Sequence, residues 1–320
     1  MTSQDTRLTG RRITAAPPRS TDTATAASRA RRPKKKITVG RVLLYVVLTA
    51  GAIAMIAPFL WMILTALKSE LEVSTFRWLP GEWRFGNFVE AMQTAPFLRY
   101  FRNSLLIAVG ETAVTLVICT MAGYVLSSIP IRGAKFFLGY FITLLMIPFQ
   151  IILVPLFIIV KSIPLFGGND LLGQGGTGWL NSWWGLIIPL AAAPLFTFLA
   201  RQFYVSLPAD LADAARMDGV GEFGIFLRIM TPLVKPALIT IAVFQIEAAW
   251  NGFLWPLMIT SSDDLRPLQL GLAIFSQNPA SIQWPYLMAG TTLATLPMVL
   301  LFVFAQKRFV EGMASAGLKG

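Results

Sequence analysis

The chain has 320 residues, of which 55% are hydrophobic and only 13% charged, with no histidine and a single cysteine, Cys119. A soluble domain carries about 25% charged residues, so the composition belongs to the membrane class. One cysteine excludes a disulfide framework within the chain, and the lack of histidine excludes His-based zinc sites, Ser-His-Asp triads and histidine proton relays.

In chain order, residues 1–40 read as a disordered basic cytoplasmic tail. Residues 1–36 are rich in Thr, Ala, Ser, Arg and Pro and lack the bulky apolar residues that would bury enough surface to fold. Eleven of the 27 Lys/Arg lie in residues 1–41, and most others flank apolar runs. The net charge of +11 therefore points to lipid headgroups, met by the RRPKKK run at 31–36, and not to nucleic acid. The Arg11-Arg12 and Arg31-Arg32 pairs do not make an export signal, because the apolar run starts far downstream and is too long.

Six apolar runs follow, roughly Val42–Leu67, Asn103–Ile129, Phe136–Val160, Ser182–Ala200, Ala237–Thr260 and Tyr286–Ala305. Each approaches the roughly 20 residues that cross about 30 Å of hydrocarbon. They predict an all-α membrane protein with six transmembrane helices, the first over 41–68, the other five within a domain spanning 99–306, and a C-terminal tail over 307–320. Internal prolines, among them Pro148, Pro155, Pro189, Pro194, Pro256 and Pro297, are tolerated where packed neighbours satisfy the freed carbonyls.

Charge sets the orientation. With the N-terminus inside, the cytoplasmic segments hold 20 Lys/Arg and the outer segments seven, which places both termini in the cytoplasm. Trp78, Trp83, Trp179, Trp183, Trp184 and Trp284 then fall near outer ends, as an aromatic belt does. The Gly-rich GGNDLLGQGGTG at 167–178 reads as a flexible outer turn.

Between the fourth and fifth runs, 207–236 is cytoplasmic and unlike its surroundings. Ala209–Asp218 reads as an Ala-rich helix with Asp210, Asp213 and Arg216 on one face. Gly219 is placed to end it in a left-handed conformation. A second helix over about Gly221–Met230 puts Phe223, Phe226 and Leu227 on one side, and Pro232 and Pro236 lead into the next run. Small residues and aromatics suit a docking element for a cytoplasmic protein. An amphipathic loop lying on the inner membrane surface fits the same pattern.

Here the sequence resembles a known family. The stretch is similar to the EAA loop of the permease subunits of bacterial ABC importers, which reads E-A-A, three residues, G, nine residues, I, one residue, L-P. Asp213-Ala214-Ala215 stand at E-A-A, Gly219 at the glycine, Ile229 at the I and Thr231-Pro232 at L-P. Asp213 shortens the acid by one methylene, and Thr231 replaces the leucine. Arg216-Met217-Asp218-Gly219 and WNGFLWPLMI at 250–259 look like the carbohydrate-uptake, maltose-type branch, with Gly252 where the branch commonly has Asp. NSLLIA at 103–108 and AGYVLSS at 122–128 extend the likeness over most of 42–310.

The resemblance implies a type I ABC importer permease fold in a bacterial cytoplasmic (inner) membrane. It also implies a second homologous permease subunit, a cytoplasmic ATPase dimer and an extracytoplasmic sugar-binding protein as partners. Asp213, Ala214, Ala215, Asp218, Gly219, Phe223, Ile229 and Pro232 would form the ATPase-coupling element, with Asp213 pairing to a basic residue of the ATPase. The sequence contains no G-x-x-x-x-G-K-[ST] phosphate loop. ATP and Mg would accordingly be bound by the partner, leaving this chain a non-enzymatic transporter subunit with no cofactor of its own. The loop 261–285, including SQNPASIQWP, resembles in position one that reaches toward the binding protein; an ordinary connection fits as well.

Two acids fall within apolar runs, where ionisable groups mark function or a specific partner. Glu247, Trp250 and Asn251 share a helical stripe whose aromatic and hydrogen-bonding groups suit a polyol, so they are the candidate translocation pathway. Packing of Trp250 and a hydrogen bond from Glu247 to a neighbouring helix is the structural alternative. Glu111 reads as a structural or gating hydrogen-bonding residue. The cargo is expected to be a sugar. Glycerol-phosphate or another polyol by the same mechanism, and an ion-driven secondary transporter, are the alternatives.

Overall fold

A computed structural model describes residues 39–75, 77–276 and 282–317, the last eleven of these by the course of the helix alone. Most of the basic tail expected over 1–40, residues 277–281 of the outer loop, and residues 318–320 lie outside the described residues. Two compact units divide between Ile53 and Ala54. Among the described residues, the first unit is the opening part of one helix, α1 (Val39–Ala66), whose most apolar window buries nothing.

In the second unit every regular element described is helical. Short helices α2 (Glu70–Val73) and α3 (Gly86–Thr94) lead to α4 (Phe97–Ser128), which is followed by α5 (Ala134–Leu145) and α6 (Phe149–Lys161). Next come α7 (Trp183–Ala191), α8 (Pro194–Val205), α9 (Asp210–Met217), α10 (Glu222–Gly224), a π-helical turn (Ile225–Met230) and α11 (Thr231–Leu233). The chain closes with α12 (Lys235–Trp250), α13 (Leu254–Ile259), α14 (Leu268–Leu272), a 3₁₀ turn (Ala273–Ser276) and α15 (Trp284–Gly317).

Helix α4 is the axis of this unit, packing mainly on α8 and α12. The reason lies in its sequence. Ala108, Thr112, Thr115, Cys119 and Gly123 recur every three or four residues and are all buried, and small residues let helix backbones approach closely where apolar bulk gives no preference over lipid. At Gly123 a Cβ would sit 2.7 Å from both Ala200 Cβ and the Arg201 backbone nitrogen, so any larger residue forces α4 and α8 apart. Above this contact a second core gathers Tyr100, Trp250, Leu268, Phe275 and Ala289.

The six runs do not become six straight helices. Among the described residues α1, α4 and α15 are long and apolar enough to cross a membrane, and three bent pairs, the third of them Glu222–Leu233 with α12, bring the candidates up to six if each pair is one span. Helices α5 and α6 meet at 106° before Pro148, and α7 and α8 at 47° before Pro194. The residue before a proline is pushed out of the helical region, which ends the preceding helix. The run expected over Ala237–Thr260 stops at Trp250 and restarts at Leu254, because Asn251 and Gly252 close the helix end. The C-terminal stretch from 307, expected as a tail, continues α15 to Gly317.

The loop between α6 and α7 is closely built rather than loose. Asn169 Nδ2 donates to the carbonyls of Lys161 and Ile163, and its Oδ1 accepts from Gly176 N–H. Within α2, Glu72 accepts from the backbone N–H groups of Ser69 and Gly81, tying the two positions together. Asn87 Nδ2 bridges the carbonyls of Ala66 and Lys68 at 2.8 Å each.

Candidate functional site

The loop over 207–236 folds as a helical hairpin with its own core. Helix α9 ends in a Schellman arrangement: Val220 N–H reaches Ala215 O at 3.0 Å and Gly219 N–H reaches Arg216 O at 3.0 Å. Gly219 takes φ +80°, the left-handed conformation that closes such an end. Ala212 and Ala215 turn inward against Ile225, Phe226, Met230 and Val234, and Tyr124 of α4 and Tyr204 of α8 complete the cluster. The hairpin is thereby packed onto the ends of two bundle helices.

Polar contacts add to that attachment. Arg216 donates from Nε to Glu222 Oε1 at 2.6 Å, from Nη1 to Asp213 Oδ1 at 2.7 Å and from Nη2 to Ser128 O at 3.0 Å. Tyr124 Oη donates to Glu222 Oε2 at 2.9 Å. The hydrogen bond to Glu222, chiefly, holds the Arg216 guanidinium pKa above its ordinary value. Tyr204 Oη and Thr231 Oγ1 lie 2.9 Å apart, so the threonine that replaces leucine in the motif supplies a second tie to α8.

The motif residues divide between the two faces. Asp213, Ala214, Asp218, Gly219, Phe223 and Pro232 are exposed, Ala215 is buried and Ile229 half-buried against the loop core. Asp213 already holds Arg216 of its own loop while its side chain stays 65% exposed. Met217, Phe223 and Leu227 add exposed apolar bulk. Phe226 leaves the stripe expected of it and packs 5.3 Å from the Tyr124 ring. The second helix is π-helical from Ile225, and i→i+5 bonding alters the angular step on which that stripe was reckoned. Glu222 and Tyr124 were not singled out from the sequence; 98 residues separate them, and no local spacing rule joins them.

The candidate pathway residues are also divided. Glu247 and Asn251 are exposed and joined, Asn251 Nδ2 donating to Glu247 Oε1 at 2.9 Å, while Gln269 Nε2 approaches Asn251 Oδ1 at 3.4 Å. Glu247 lines a cavity of about 210 Å³ with Phe244, Met298 and Phe302 between α12 and α15. Trp250 turns the other way: it is 2% exposed, donates Nε1–H to Ala294 O at 3.1 Å and meets Phe101 edge-on. Deeper in the bundle, Gln245 Nε2 donates to Glu111 Oε1 at 2.7 Å, both side chains buried beside a cavity of about 200 Å³.

A helical membrane domain that carries an Asp-Ala-Ala…Gly hairpin locked to its bundle has the architecture of an ABC-transporter permease. The profile of the family described as "Binding-protein-dependent transport system inner membrane component" matches residues 117–315. The arabinooligosaccharides transport system permease protein AraQ of Halalkalibacterium halodurans is 34% identical over 82% of this chain and 91% of its own length. The probable ABC transporter permease protein YurM of Bacillus subtilis is 32% identical over 90% and 92%. A solved bacterial ABC transporter involved in the import of the acidic polysaccharide alginate has the same fold, with a TM-score of 0.72 at 22% identity over 86% of this chain and 98% of that one. The chain belongs to the family of inner membrane components of binding-protein-dependent transport systems.

Proposed function

We propose that the chain is one permease subunit of an ATP-dependent, binding-protein-dependent importer that moves a sugar across the cytoplasmic membrane by alternating access. In this reading α5–α6, α7–α8 and α12 complete six spans, the hairpin before α12 is cytoplasmic, and so are both termini. A second, homologous permease completes the path, and an extracytoplasmic sugar-binding protein delivers the cargo. ATP and Mg are handled by a separate ATPase pair. The sugar relatives support the cargo class, among them the permease proteins for arabinooligosaccharides and lactose.

The observation that carries the reading is the two-faced hairpin. Its outer face presents Asp213, Ala214, Met217 and Phe223, while its inner face is fixed to Tyr124 and Tyr204 of the bundle. A partner that grips the outer face moves α4 and α8 with it. The exposed ridge of small and apolar residues is what a cleft in an ATPase accepts. Glu247 and Asn251 face the companion subunit and line the sugar's path.

The test is purification of the tagged chain from its native membrane. Recovery of an ATPase and a second homologous permease, with sugar uptake that requires ATP, is expected. Solitary purification with uptake driven by an ion gradient would overturn the reading.

A further inference from the structure

The segment between α6 and α7 takes no part in the hairpin or the pathway, yet its construction is specific. Between Lys161 and Arg201 the sequence holds one charged residue, Asp170. That carboxylate is turned on the loop's own backbone: Oδ1 accepts from Leu172 N–H at 2.9 Å and Gln174 N–H at 2.8 Å, while Gly173 N–H reaches Asp170 O at 3.1 Å. Asn169 gathers three more backbone groups from inside. At Gly173, φ is +76° and a Cβ would lie 2.0 Å from Ser162 O, so the loop closes only with glycine there.

What this scaffold presents outward is apolar. Leu165 is 69% exposed, Phe166 47%, Leu171 77% and Leu172 78%. Leu165 holds φ 65°, a strained conformation for a bulky residue, although its side chain packs against little of the protein. Asp170 and Gln174 are exposed beside these apolar side chains, and the Asp170 carboxylate is held by the loop's own N–H groups. On either side in the chain, Ile158 and Ile159 of α6 and Trp184 of α7 are exposed as well.

We propose that the Leu165–Leu172 knob is a lipid anchor, seated in the bilayer interface with its leucines among the acyl chains. Three observations meet there. The helices on either side of the knob, α6 and α7, expose large apolar residues of their own. Phe166 packs 5.6 Å from the Trp179 ring, and Trp183 and Trp184 open the helix that follows, where aromatic rings mark the headgroup level. Much of the backbone around the tip is hydrogen-bonded within the loop, which lowers the cost of seating it in the interface. The knob would fix the height of the α6–α7 corner in the membrane while the rest of the bundle moves. The inference rests on the reading of α5–α8 as spans.

The experiment uses the full chain in native membrane vesicles with its partners, in a Cys119→Ala background. Nitroxide labels are placed in turn at Leu171→Cys, Leu172→Cys and, on α6, Ile159→Cys. At 171 and 172, collisions with oxygen are expected to exceed those with a water-soluble nickel chelate, as they do at 159. Nickel dominating at 171 and 172 but not at 159 would place the knob in water and overturn the anchor alone. Exclusion of both reagents from the tip would show a protein covering it and overturn the anchor equally. Nickel dominating at 159 as well would instead sink the assignment of α6 to the membrane.

Discussion

Arg216 reaches across the Gly219 turn to Glu222, Nε to Oε1 at 2.6 Å, and so clamps the two halves of the hairpin together. The same guanidinium holds the Ser128 carbonyl at the end of α4, which makes it a joint between hairpin and bundle. A hydrogen bond to a charged group contributes about 1.5–3 kcal/mol when sheltered. With Arg216 32% and Glu222 43% exposed, solvent reduces this to about 1 kcal/mol. Arg216→Ala is expected to raise the rate of proteolytic cutting within 207–236 and to lower uptake more than ATP hydrolysis. Arg216→Lys should recover little, because a single ammonium cannot serve three partners in the planar fork. Equal loss of uptake and hydrolysis would assign Arg216 to folding alone.

Gly219 offers a cleaner perturbation. A Cβ there would meet nothing within 4 Å, so a substitution costs only its backbone conformation. Left-handed φ costs an ordinary residue about 1–2 kcal/mol, and asparagine less. Uptake should fall in the order Gly219→Asn, Gly219→Ala, Gly219→Pro, with insertion into the membrane unchanged. Proline is worst because it cannot adopt φ +80° and removes the N–H that closes α9. An uptake assay on the three variants checks the order; normal transport by Gly219→Pro would remove the hairpin from the coupling path. Asp213→Lys tests the outer face in the same assay, since it reverses the exposed charge and repels Arg216. It is expected to uncouple ATP hydrolysis from uptake.

Gly219 and the Asp213-Ala214-Ala215 triplet were readable from sequence because each answers to a local rule, a helix stop or a helical face. Trp250 was not. In a soluble helix the polar face identifies its opposite as the core, but here lipid and core are equally apolar and periodicity does not say which is which. Trp250 therefore shared a stripe with Glu247 on paper and lies in the bundle core in the structure. Most internal prolines, among them Pro155, Pro189 and Pro297, stay inside helices as the sequence allowed, while Pro148 and Pro194 fall at breaks, and the 106° between α5 and α6 depends on neighbours that the local sequence does not name. The contact between Glu222 and Tyr124 is illegible in the sequence for a similar reason: it exists only once the hairpin is packed on α4.

The division between Glu247 and Trp250 makes a contrast that kinetics can read. Trp250→Ala empties a fully buried site and should destabilise the protein by about 3–5 kcal/mol, visible as a lower melting temperature in detergent. Glu247→Gln and Asn251→Leu alter an exposed polar pair and should leave melting nearly unchanged while reducing sugar uptake. If both polar variants transport normally with unchanged apparent affinity, Glu247 and Asn251 do not line the path.

Outside the bundle, Glu72 gives a pH dependence with a definite sign. The Ser69 N–H, first, and the Gly81 N–H, further on, hold its carboxyl below the usual carboxylate range. A depressed pKa means the folded loop favours the ionised form, so the stabilisation is fully present above the ordinary carboxylate value of about 4.3. It is lost as pH falls through the lowered folded value. Cleavage of the 69–81 segment by an acid-active protease should accelerate below that range, and Glu72→Gln should show the fast rate already at neutral pH.

Gln245 and Glu111 close the set, as a pair that joins α12 to α4 in the bundle interior. Gln245→Leu removes the donor and leaves a buried carboxyl group without its partner, a loss of about 1–3 kcal/mol. Replacing both by leucine removes the need along with the bond, so the double variant should melt closer to the parent than Gln245→Leu does. Thermal melts of the parent, Gln245→Leu, Glu111→Leu and the double variant in detergent measure the coupling. Additive losses would mean that the two side chains act independently. A restored melting temperature with uptake still abolished would show that the pair serves the transport cycle, because the static bundle would then hold without it and only the movement of α12 against α4 would be impaired.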